Sequence, residues 1–173
     1  VYYLFDTKYQ IMNSLLVTYI LQTEKWTSPE LFETKNRMYT FLNPVSYLIA
    51  LENKSLFEQF DGIFADGSLL VSAIRLVYGK RVTRRSFDMT SLAPELLNYL
   101  MESRKTLYIV ASGQEQVECS VRIFQEQYPE LRIAGFRNGY FSSDAEMNKE
   151  ASHIVELNPD FLIVGMGALM QEK

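Results

Sequence analysis

The chain has 173 residues, of which 47% are hydrophobic and 22% charged, as expected for one soluble globular domain with a full core. Its net charge of −4 argues against a nucleic-acid partner, which would normally require a basic stripe. No apolar run approaches the roughly 18 residues of a transmembrane helix, and the single cysteine, Cys119, excludes an internal disulfide and indicates a reducing, cytoplasmic compartment.

Hydrophobic periodicity predicts strands and helices that alternate along the chain. The first half is predicted to contain a strand at 1–5, a helix at 11–22, a loop with some helix at 23–36, a strand at 38–42, a helix at 44–53, a strand at 62–65 and a helix at 68–79 that ends at Gly79. The second half is predicted to contain a helix at 90–105, a strand at 106–111, a helix at 115–129 that ends at Pro129, a strand at 131–136, a helix at 148–159 and a strand at 160–165. This alternation predicts an α/β fold with a Rossmann-like, mainly parallel sheet and helices on both faces.

Turn and cap residues follow four of the predicted strands, at the edge where parallel sheets bind their ligands. These junctions are Asn43-Pro44, Asp66-Gly67, Ser112-Gly113-Gln114 and Gly165-Met166-Gly167. Helix starts and glycine turns present free backbone N–H groups, which suit a phosphate. Each junction alone can also be explained as an ordinary cap or turn. Together they predict a ligand site along one sheet edge.

The order of the motifs resembles a known family. The motifs are NP (43–44), ADG (65–67), the basic segment GKRVTRRSFD (79–88), GYF (139–141) and VGMGALMQEK (164–173). In order and spacing they resemble the bacterial WecG/TagA/CpsF glycosyltransferases over roughly residues 38–173. The resemblance implies transfer of N-acetylmannosamine or a related hexose from UDP to a polyprenyl-diphosphate-linked acceptor, in the synthesis of surface polysaccharide or teichoic acid. The residues that fall on family positions are Asn43, Asp66, Arg84 and Gln171.

The resemblance also implies a tryptophan and a further segment after QEK, which help to close the active site and to associate with the membrane. We therefore expect residues 1–173 to form a single domain that lacks this C-terminal segment, in a protein peripheral to the inner face of the cell membrane. Two positions depart from the family pattern. Phe41-Leu42-Asn43 replaces Thr-x-Asn, with Thr40 one place off, and Leu169-Met170 replaces a Pro-Lys pair. Both changes remove polar or basic groups from the expected site.

Transfer from a UDP-sugar requires a group that removes the proton of the acceptor hydroxyl, and a carboxylate can do this. Asp66 is the best candidate because Asp-Gly at a strand end holds a carboxylate at the sheet edge, and the resemblance implies the same role. Its alternative role is to cap the helix at 68–79.

The departing diphosphate needs positive charge, and the chain contains no Asp-x-Asp triplet that would hold a metal. This favours metal-free, cofactor-free stabilisation by arginines and backbone N–H groups. Arg81, Arg84 and Arg85 lie within five residues and would concentrate positive potential on an anion. They could equally form a solvated face, and the resemblance selects Arg84.

Two further segments are candidates for donor binding. Asn138-Gly139-Tyr140-Phe141 could stack on or cradle the uridine, or could be a glycine turn followed by core aromatics. Gln171 could hydrogen-bond the donor sugar or a phosphate, a role that only the resemblance suggests.

His153 and Cys119 are poor candidates for chemistry. The only histidine, His153, lies within a predicted helix without a second ligand nearby, so neither a metal site nor a catalytic triad is expected. Cys119 has no activating histidine, which favours a buried thiol. Exposed aromatic residues on the helix at 11–22 could instead serve homo-oligomerisation.

Two alternatives to the transferase remain open from the sequence. A nucleotide-dependent oxidoreductase would show Gly-x-Gly-x-x-Gly at the start of a helix, whereas here the loop reads GMGALM and lacks the third glycine. A catalytically silent protein that binds UDP-sugars, or assembles with others, would fit the two departures from the family pattern.

Overall fold

The computed structural model describes residues 7–173, with their side chains from residue 15 onward, so the strand predicted at 1–5 lies outside the described residues. The chain forms two compact units. The first unit runs to Pro94 and includes Glu172–Lys173, and the second unit is Glu95–Gln171.

Helices and strands alternate in both units. Between residues 7 and 78 the elements are α1 (Thr7–Thr23), α2 (Ser28–Glu33), β1 (Tyr39–Leu42), α3 (Pro44–Glu52), α4 (Lys54–Phe57), β2 (Gly62–Ala65) and α5 (Ser68–Tyr78). The elements that follow are α6 (Leu92–Ser103), β3 (Thr106–Ala111), α7 (Gln114–Gln127), β4 (Arg132–Arg137), α8 (Asp144–Leu157) and β5 (Phe161–Gly165). None of the helices within residues 7–173 is long and apolar enough to cross a bilayer.

All strand pairs that the structure describes are parallel, which confirms the predicted α/β class. The strands lie in two hydrogen-bonded sheets, one of two strands in the order β1-β2 and one of three strands in the order β4-β3-β5. Leu42 pairs with Ala65 at the carboxyl end of the first sheet, and Ala111 pairs with Gly165 at the carboxyl end of the second. The loops that follow these strands therefore start side by side within each sheet.

The predicted helices are present within residues 7–173. Several boundaries differ from the prediction, and two of these differences have clear local reasons. The helix predicted at 148–159 starts at Asp144, because Ser143 caps it by accepting a hydrogen bond from the Glu146 N–H at 3.2 Å. The helix predicted to end at Pro129 ends at Gln127, because a residue that precedes proline is disfavoured in helical geometry. The short helix α4 was not predicted.

The core of the first unit surrounds β2, whose four residues are all buried. The side chains packed around it include Ile20 from α1, Leu42 from β1, Phe57 from α4 and Ile74 from α5. In the second unit the central strand β3 is buried from Leu107 to Val110, whereas β4 and β5 are partly exposed. The two sheets thus hold their carboxyl-terminal loops on rigid, packed strands.

Candidate functional site

Asp66 lies directly after β2 and is held from both its backbone and its side chain. Its N–H donates to the carbonyl oxygen of Leu42 at 2.8 Å, which ties it to the end of the neighbouring strand. Its Oδ1 accepts a hydrogen bond from the hydroxyl of Ser86. Helix α5 is capped by Gly67, at φ 86° and without a side-chain cap, so the Asp66 carboxylate is not used as a helix cap. No hydrogen bond to its Oδ2 occurs within the described residues.

Asn43 occupies the equivalent place after β1, and its side chain caps helix α3. Its Oδ1 accepts from the N–H groups of Val45 at 2.9 Å and Ser46 at 3.0 Å. Its own N–H donates to Oγ of Ser46 at 2.8 Å, which completes a reciprocal cap. The side-chain oxygen Oδ1 of Asn43 is therefore used as an ordinary helix cap. The exposed amide nitrogen, Nδ2, is the part of Asn43 that could contact a ligand.

The arginines that follow α5 have different partners. Arg84 is exposed and donates to Asp88 at 2.6 Å. Hydrogen bonds from Thr90, and then from Arg84, lower the pKa of the Asp88 carboxyl below its ordinary value. The guanidinium of Arg85 instead lies 5.6 Å from the centre of the Phe64 ring, and the backbone N–H of Arg85 donates to the Ala65 carbonyl at 2.9 Å. The backbone of this segment is thus fixed to the end of β2, next to Asp66.

Three buried polar residues of the first unit, Thr40, Ser86 and Glu172, were not predicted as site residues. Thr40 on β1 donates its hydroxyl hydrogen to Oε1 of Glu172 at 3.0 Å, and both residues are buried. Glu172 is the central residue of the QEK motif, so the motif itself was a signal for it. Ser86, which is also buried, holds Asp66 and lies within the basic segment at 79–88, in which only the arginines were singled out as site residues.

In the second unit, Ser112 ties together the three loops that follow β3, β4 and β5. Ser112 adopts a left-handed conformation with φ 52°. Its N–H donates to the Gly165 carbonyl at 3.1 Å, and its carbonyl accepts from the Gly139 N–H at 2.9 Å. Because both backbone groups of Ser112 are used, the three loops form one hydrogen-bonded rim.

This rim borders a cleft of about 390 Å³. Its lining residues are Ser112, Gly139, Tyr140, Phe141, Gly165, Met166, Gly167 and Met170. A side chain at position 139 would approach Cγ of Met166 to 2.8 Å, so glycine is required there for the loops to meet. Tyr140 is 76% exposed and can move onto a ligand. Six predicted binding residues therefore surround one cleft.

Gly113 and Gln114, also predicted to bind the ligand, do not line this cleft. Gly113 is the N-cap of α7. The Gln114 side chain donates to Glu118 at 2.6 Å and accepts from Nδ2 of Asn138 at 2.9 Å. Both of its polar ends are therefore used to hold the loops.

Arg137, at the end of β4, organises the 138–141 loop and was not predicted. Its guanidinium donates to the Tyr140 carbonyl at 2.9 Å and lies 3.9 Å from the centre of the Phe141 ring. It also pairs with Glu146 at 3.2 Å and with Glu150 at 3.7 Å. Hydrogen bonds from Ser142, and then from Arg137, lower the pKa of Glu146 to about 2. A charged network thus fixes the aromatic side of the cleft.

The last loop turns back at Gly167, which has a positive φ of 88°. The Gly167 carbonyl accepts from the N–H groups of Met170 at 3.2 Å and Gln171 at 3.1 Å. This turn places Met170 in the lining of the cleft and leaves Gln171 half-buried. Met170 therefore places a thioether beside the cleft, at a position where the resemblance implies a basic side chain.

The two residues judged poor candidates for chemistry have structural contacts. The ring centres of His153 and Tyr108 are 6.4 Å apart in an edge-to-face arrangement. Cys119 is half-buried and accepts from Arg122 at 3.7 Å. Within the part of the chain that the structure describes, no group of three or more His, Cys, Asp or Glu residues could hold a metal ion.

Parallel strands that end in turns, with a cleft beside the strand ends of the second sheet, define an α/β protein of the class that binds ligands at its strand ends. Residues 18–173 match the Glycosyl transferase WecG/TagA/CpsF family. The chain belongs to this family.

Two curated relatives match about three quarters of the chain. It is 31% identical over 134 residues to the UDP-Gal:alpha-D-GlcNAc-diphosphoundecaprenol beta-1,4-galactosyltransferase of Shigella boydii, covering 78% of this chain and 56% of the relative. It is 24% identical over 136 residues to the N-acetylglucosaminyldiphosphoundecaprenol N-acetyl-beta-D-mannosaminyltransferase of Bacillus subtilis strain 168, covering 76% of this chain and 51% of the relative. The chain thus spans about half the length of the curated relatives it matches.

Proposed function

We propose that this protein transfers a hexose from a UDP-sugar to a polyprenyl-diphosphate-linked sugar, with inversion and without a metal, in the synthesis of a cell-surface polymer. The observation that carries the proposal is the Asp66 carboxylate. It lies at a strand end with one oxygen held by Ser86 and the other without a protein partner in the described chain. Such a carboxylate is oriented, and it keeps an oxygen available for a substrate proton.

In this reaction Asp66 acts as the general base. Its open oxygen accepts the proton of the acceptor hydroxyl as the hydroxyl oxygen attacks the anomeric carbon of the donor. The bond between that carbon and the diphosphate oxygen breaks, and UDP leaves with the bonding electrons. Asp66 is half-buried, so its side chain is held by the protein and still accessible to a substrate hydroxyl.

Inversion is supported by the products that the relatives' names give. Both relatives are named for a β-linked product. UDP-hexose donors of this type carry the α linkage, so one direct displacement converts α into β. A single displacement needs one base and no enzyme nucleophile, which agrees with a single candidate carboxylate. The donor sugar is proposed to be N-acetylmannosamine or a related hexose such as galactose.

Positive charge for the departing diphosphate is assigned to Arg84 and Arg85, since the sequence has no Asp-x-Asp triplet. Arg84 would exchange its exposed partner Asp88 for a phosphate oxygen, an exchange with little cost at the surface. Asn43, through its amide nitrogen, and Gln171 are proposed to contact the donor sugar or its phosphates. Gly67 allows close approach of the backbone beside Asp66 because it has no side chain.

The nucleotide is assigned to the cleft of the second unit. Tyr140 and Phe141 offer aromatic faces for the uracil ring, and the backbone N–H groups of the loops at Gly165 and Gly167 suit phosphate oxygens. A cleft of about 390 Å³ is within the usual size range for small-molecule sites. We propose a cytoplasmic location at the inner face of the membrane, where a lipid-linked acceptor would reside.

The decisive experiment compares the protein with Asp66→Asn, which keeps the shape of the side chain and removes the base. Transfer from UDP-galactose and UDP-N-acetylmannosamine to a polyprenyl-diphosphate N-acetylglucosamine is measured, with Asp144→Asn on α8 as the control. We expect kcat to fall by about 10²- to 10⁴-fold in Asp66→Asn with UDP binding unchanged. Transfer should persist in EDTA. Full turnover in Asp66→Asn would show that Asp66 is not the general base. If neither the wild type nor the variant transfers sugar but both bind UDP, the alternative of a catalytically silent UDP-sugar-binding protein is favoured.

A further inference from the structure

We propose that helix α5 docks the protein onto an anionic phospholipid bilayer through its outer face, defined as Leu69, Ala73, Leu76 and Val77. These residues are spaced by four, three and one positions, which places them on one side of a helix. The exposed fractions are 68% for Leu69, 87% for Leu76 and 70% for Val77. Ala73 between them is also exposed. The outer face is therefore a continuous apolar stripe.

The opposite side of α5 already forms part of the core. Leu70 and Ile74 are buried, and Val71 and Tyr78 pack against the same cluster. A helix that is apolar on both sides normally has a partner on both sides. Isolated exposed apolar residues need no explanation, but a continuous stripe marks a surface that another phase or molecule covers.

The charges around α5 identify the partner. Although the protein carries a net charge of −4, residues 68–85 contain five cationic residues and no carboxylate. Arg75, Lys80 and Arg81 are exposed, and none of them takes part in an ion pair within the described chain. The carboxylates that face the segment from elsewhere are Glu24, which accepts from the Thr83 N–H at 2.9 Å, and Asp88, which pairs with Arg84. Three unneutralised cations beside an apolar stripe complement anionic lipid headgroups.

The dimensions of α5 favour a membrane surface over a second copy of the chain. Its 11 residues form a helix about 16 Å long and about 10 Å wide. The stripe therefore covers on the order of 200 Å², whereas a stable protein interface buries about 800 Å² on each partner. The helix is also too short to span a bilayer, for which about 20 residues are needed. It would lie in the plane of the interface.

This docking would bring Asp66 close to the headgroups. Helix α5 starts at Ser68, two residues after Asp66, and Leu69 is the first residue of the outer face. An acceptor joined to a lipid through diphosphate presents its sugar hydroxyl at that level. This last step rests on the proposed function, whereas membrane docking itself requires neither donor nor transfer.

The test measures co-sedimentation of the protein with vesicles of phosphatidylcholine, with and without phosphatidylglycerol, in the absence of UDP-sugar. Leu76→Ser/Val77→Ser removes apolar surface, and Lys80→Gln/Arg81→Gln removes charge. The matched controls are Val155→Ser, at a site 76% exposed on α8, and Arg122→Gln/Lys149→Gln. We expect binding that depends on phosphatidylglycerol, a loss of about tenfold or more for each α5 variant, and wild-type binding for both controls.

Three results would overturn the docking proposal. They are absence of vesicle binding by the wild-type protein, unchanged binding by both α5 variants, and a dimer in light scattering that Leu76→Ser/Val77→Ser converts to monomer. Circular dichroism shows whether each variant is folded, and the charge variant tests docking even if the apolar variant unfolds. If vesicle binding follows the expected pattern while transfer is absent, the proposed function fails and the docking surface stands.

Discussion

The hydroxyl of Ser86 donates a hydrogen bond to Oδ1 of Asp66, across 20 positions of sequence. Ser86 is itself fixed, because its N–H donates to Oγ of Ser91 at 3.3 Å and its carbonyl accepts from the Leu92 N–H at 3.1 Å. The proposed base is therefore oriented by a buried residue with little freedom to move. In the proposed reaction Ser86 acts through Asp66 and is a positioning residue.

Replacing Ser86 with alanine should lower kcat for sugar transfer by about tenfold to a hundredfold, with the KM for the donor unchanged. The expected size follows from the loss of one hydrogen bond to a charged group. Steady-state kinetics measure both constants, and Ser55→Ala, at an exposed position of α4, is the control. An increase in KM with unchanged kcat would mean that Ser86 supports donor binding instead.

Thr40→Val should destabilise the protein by about 1–3 kcal/mol, because a buried carboxylate loses a hydrogen-bond donor while the side-chain shape is kept. The donor is the Thr40 hydroxyl, 3.0 Å from Oε1 of Glu172. Urea unfolding measures the change in the free energy of unfolding. Thr83→Val, at an exposed position, should change it by less than about 0.5 kcal/mol. If Thr40→Val and Thr83→Val have the same free energy of unfolding, the hydrogen bond between Thr40 and Glu172 contributes nothing to stability.

The positions of Asn43 and Asp66 could be predicted from sequence because their cause is local. Each follows a short apolar strand, and parallel strands bring their carboxyl ends to the same edge. The partners of these residues could not be predicted in the same way. Thr40 and Glu172 are 132 positions apart, and Ser86 follows a segment without regular structure. Contacts of this kind depend on how packed elements meet, which periodicity does not encode.

The arginine segment shows the same limit. Charge clustering predicts an anion-binding segment at residues 81–85, but the direction of each side chain depends on its local partners. Arg84 turns to Asp88, and Arg85 lies over Phe64. Arg137 was overlooked because its role depends on carbonyl groups of the loop that follows it.

Replacing Arg137 with lysine should weaken UDP binding by about tenfold, although the charge is kept. Lysine cannot reproduce the planar fork that donates to the Asn138 and Tyr140 carbonyls at 2.9 Å and stacks on Phe141. Isothermal titration calorimetry with UDP measures the effect. Arg132→Lys, at an exposed position of the same strand, should bind UDP like the wild type. A wild-type affinity in Arg137→Lys would show that the loop needs only the charge.

Acid stability should depend on Glu146. Its pKa is about 2 in the folded protein, below its ordinary value of 4.5, so the fold favours the ionised form. This carboxylate therefore stabilises the fold above about pH 4.5, and its contribution is lost as the pH falls towards 2. In thermal unfolding, Glu146→Gln should lower Tm near neutral pH and should differ little from the wild type near pH 2. Glu156→Gln on the same helix is the control, and an equal Tm difference at every pH would contradict the assignment.

Gly139→Ala should narrow the cleft of the second unit and weaken UDP binding. The added methyl group would lie 2.8 Å from Cγ and 3.4 Å from Cβ of Met166, atoms close to the backbone that cannot swing away easily. Met166→Ala removes the Cγ atom, so it should restore much of the affinity when combined with Gly139→Ala. Calorimetry on the two single variants and the double variant gives a coupling energy. Because the contact is steric, the double variant should bind UDP more tightly than Gly139→Ala alone. If the losses of UDP affinity in the two single variants simply add in the double variant, the nucleotide binds away from these loops.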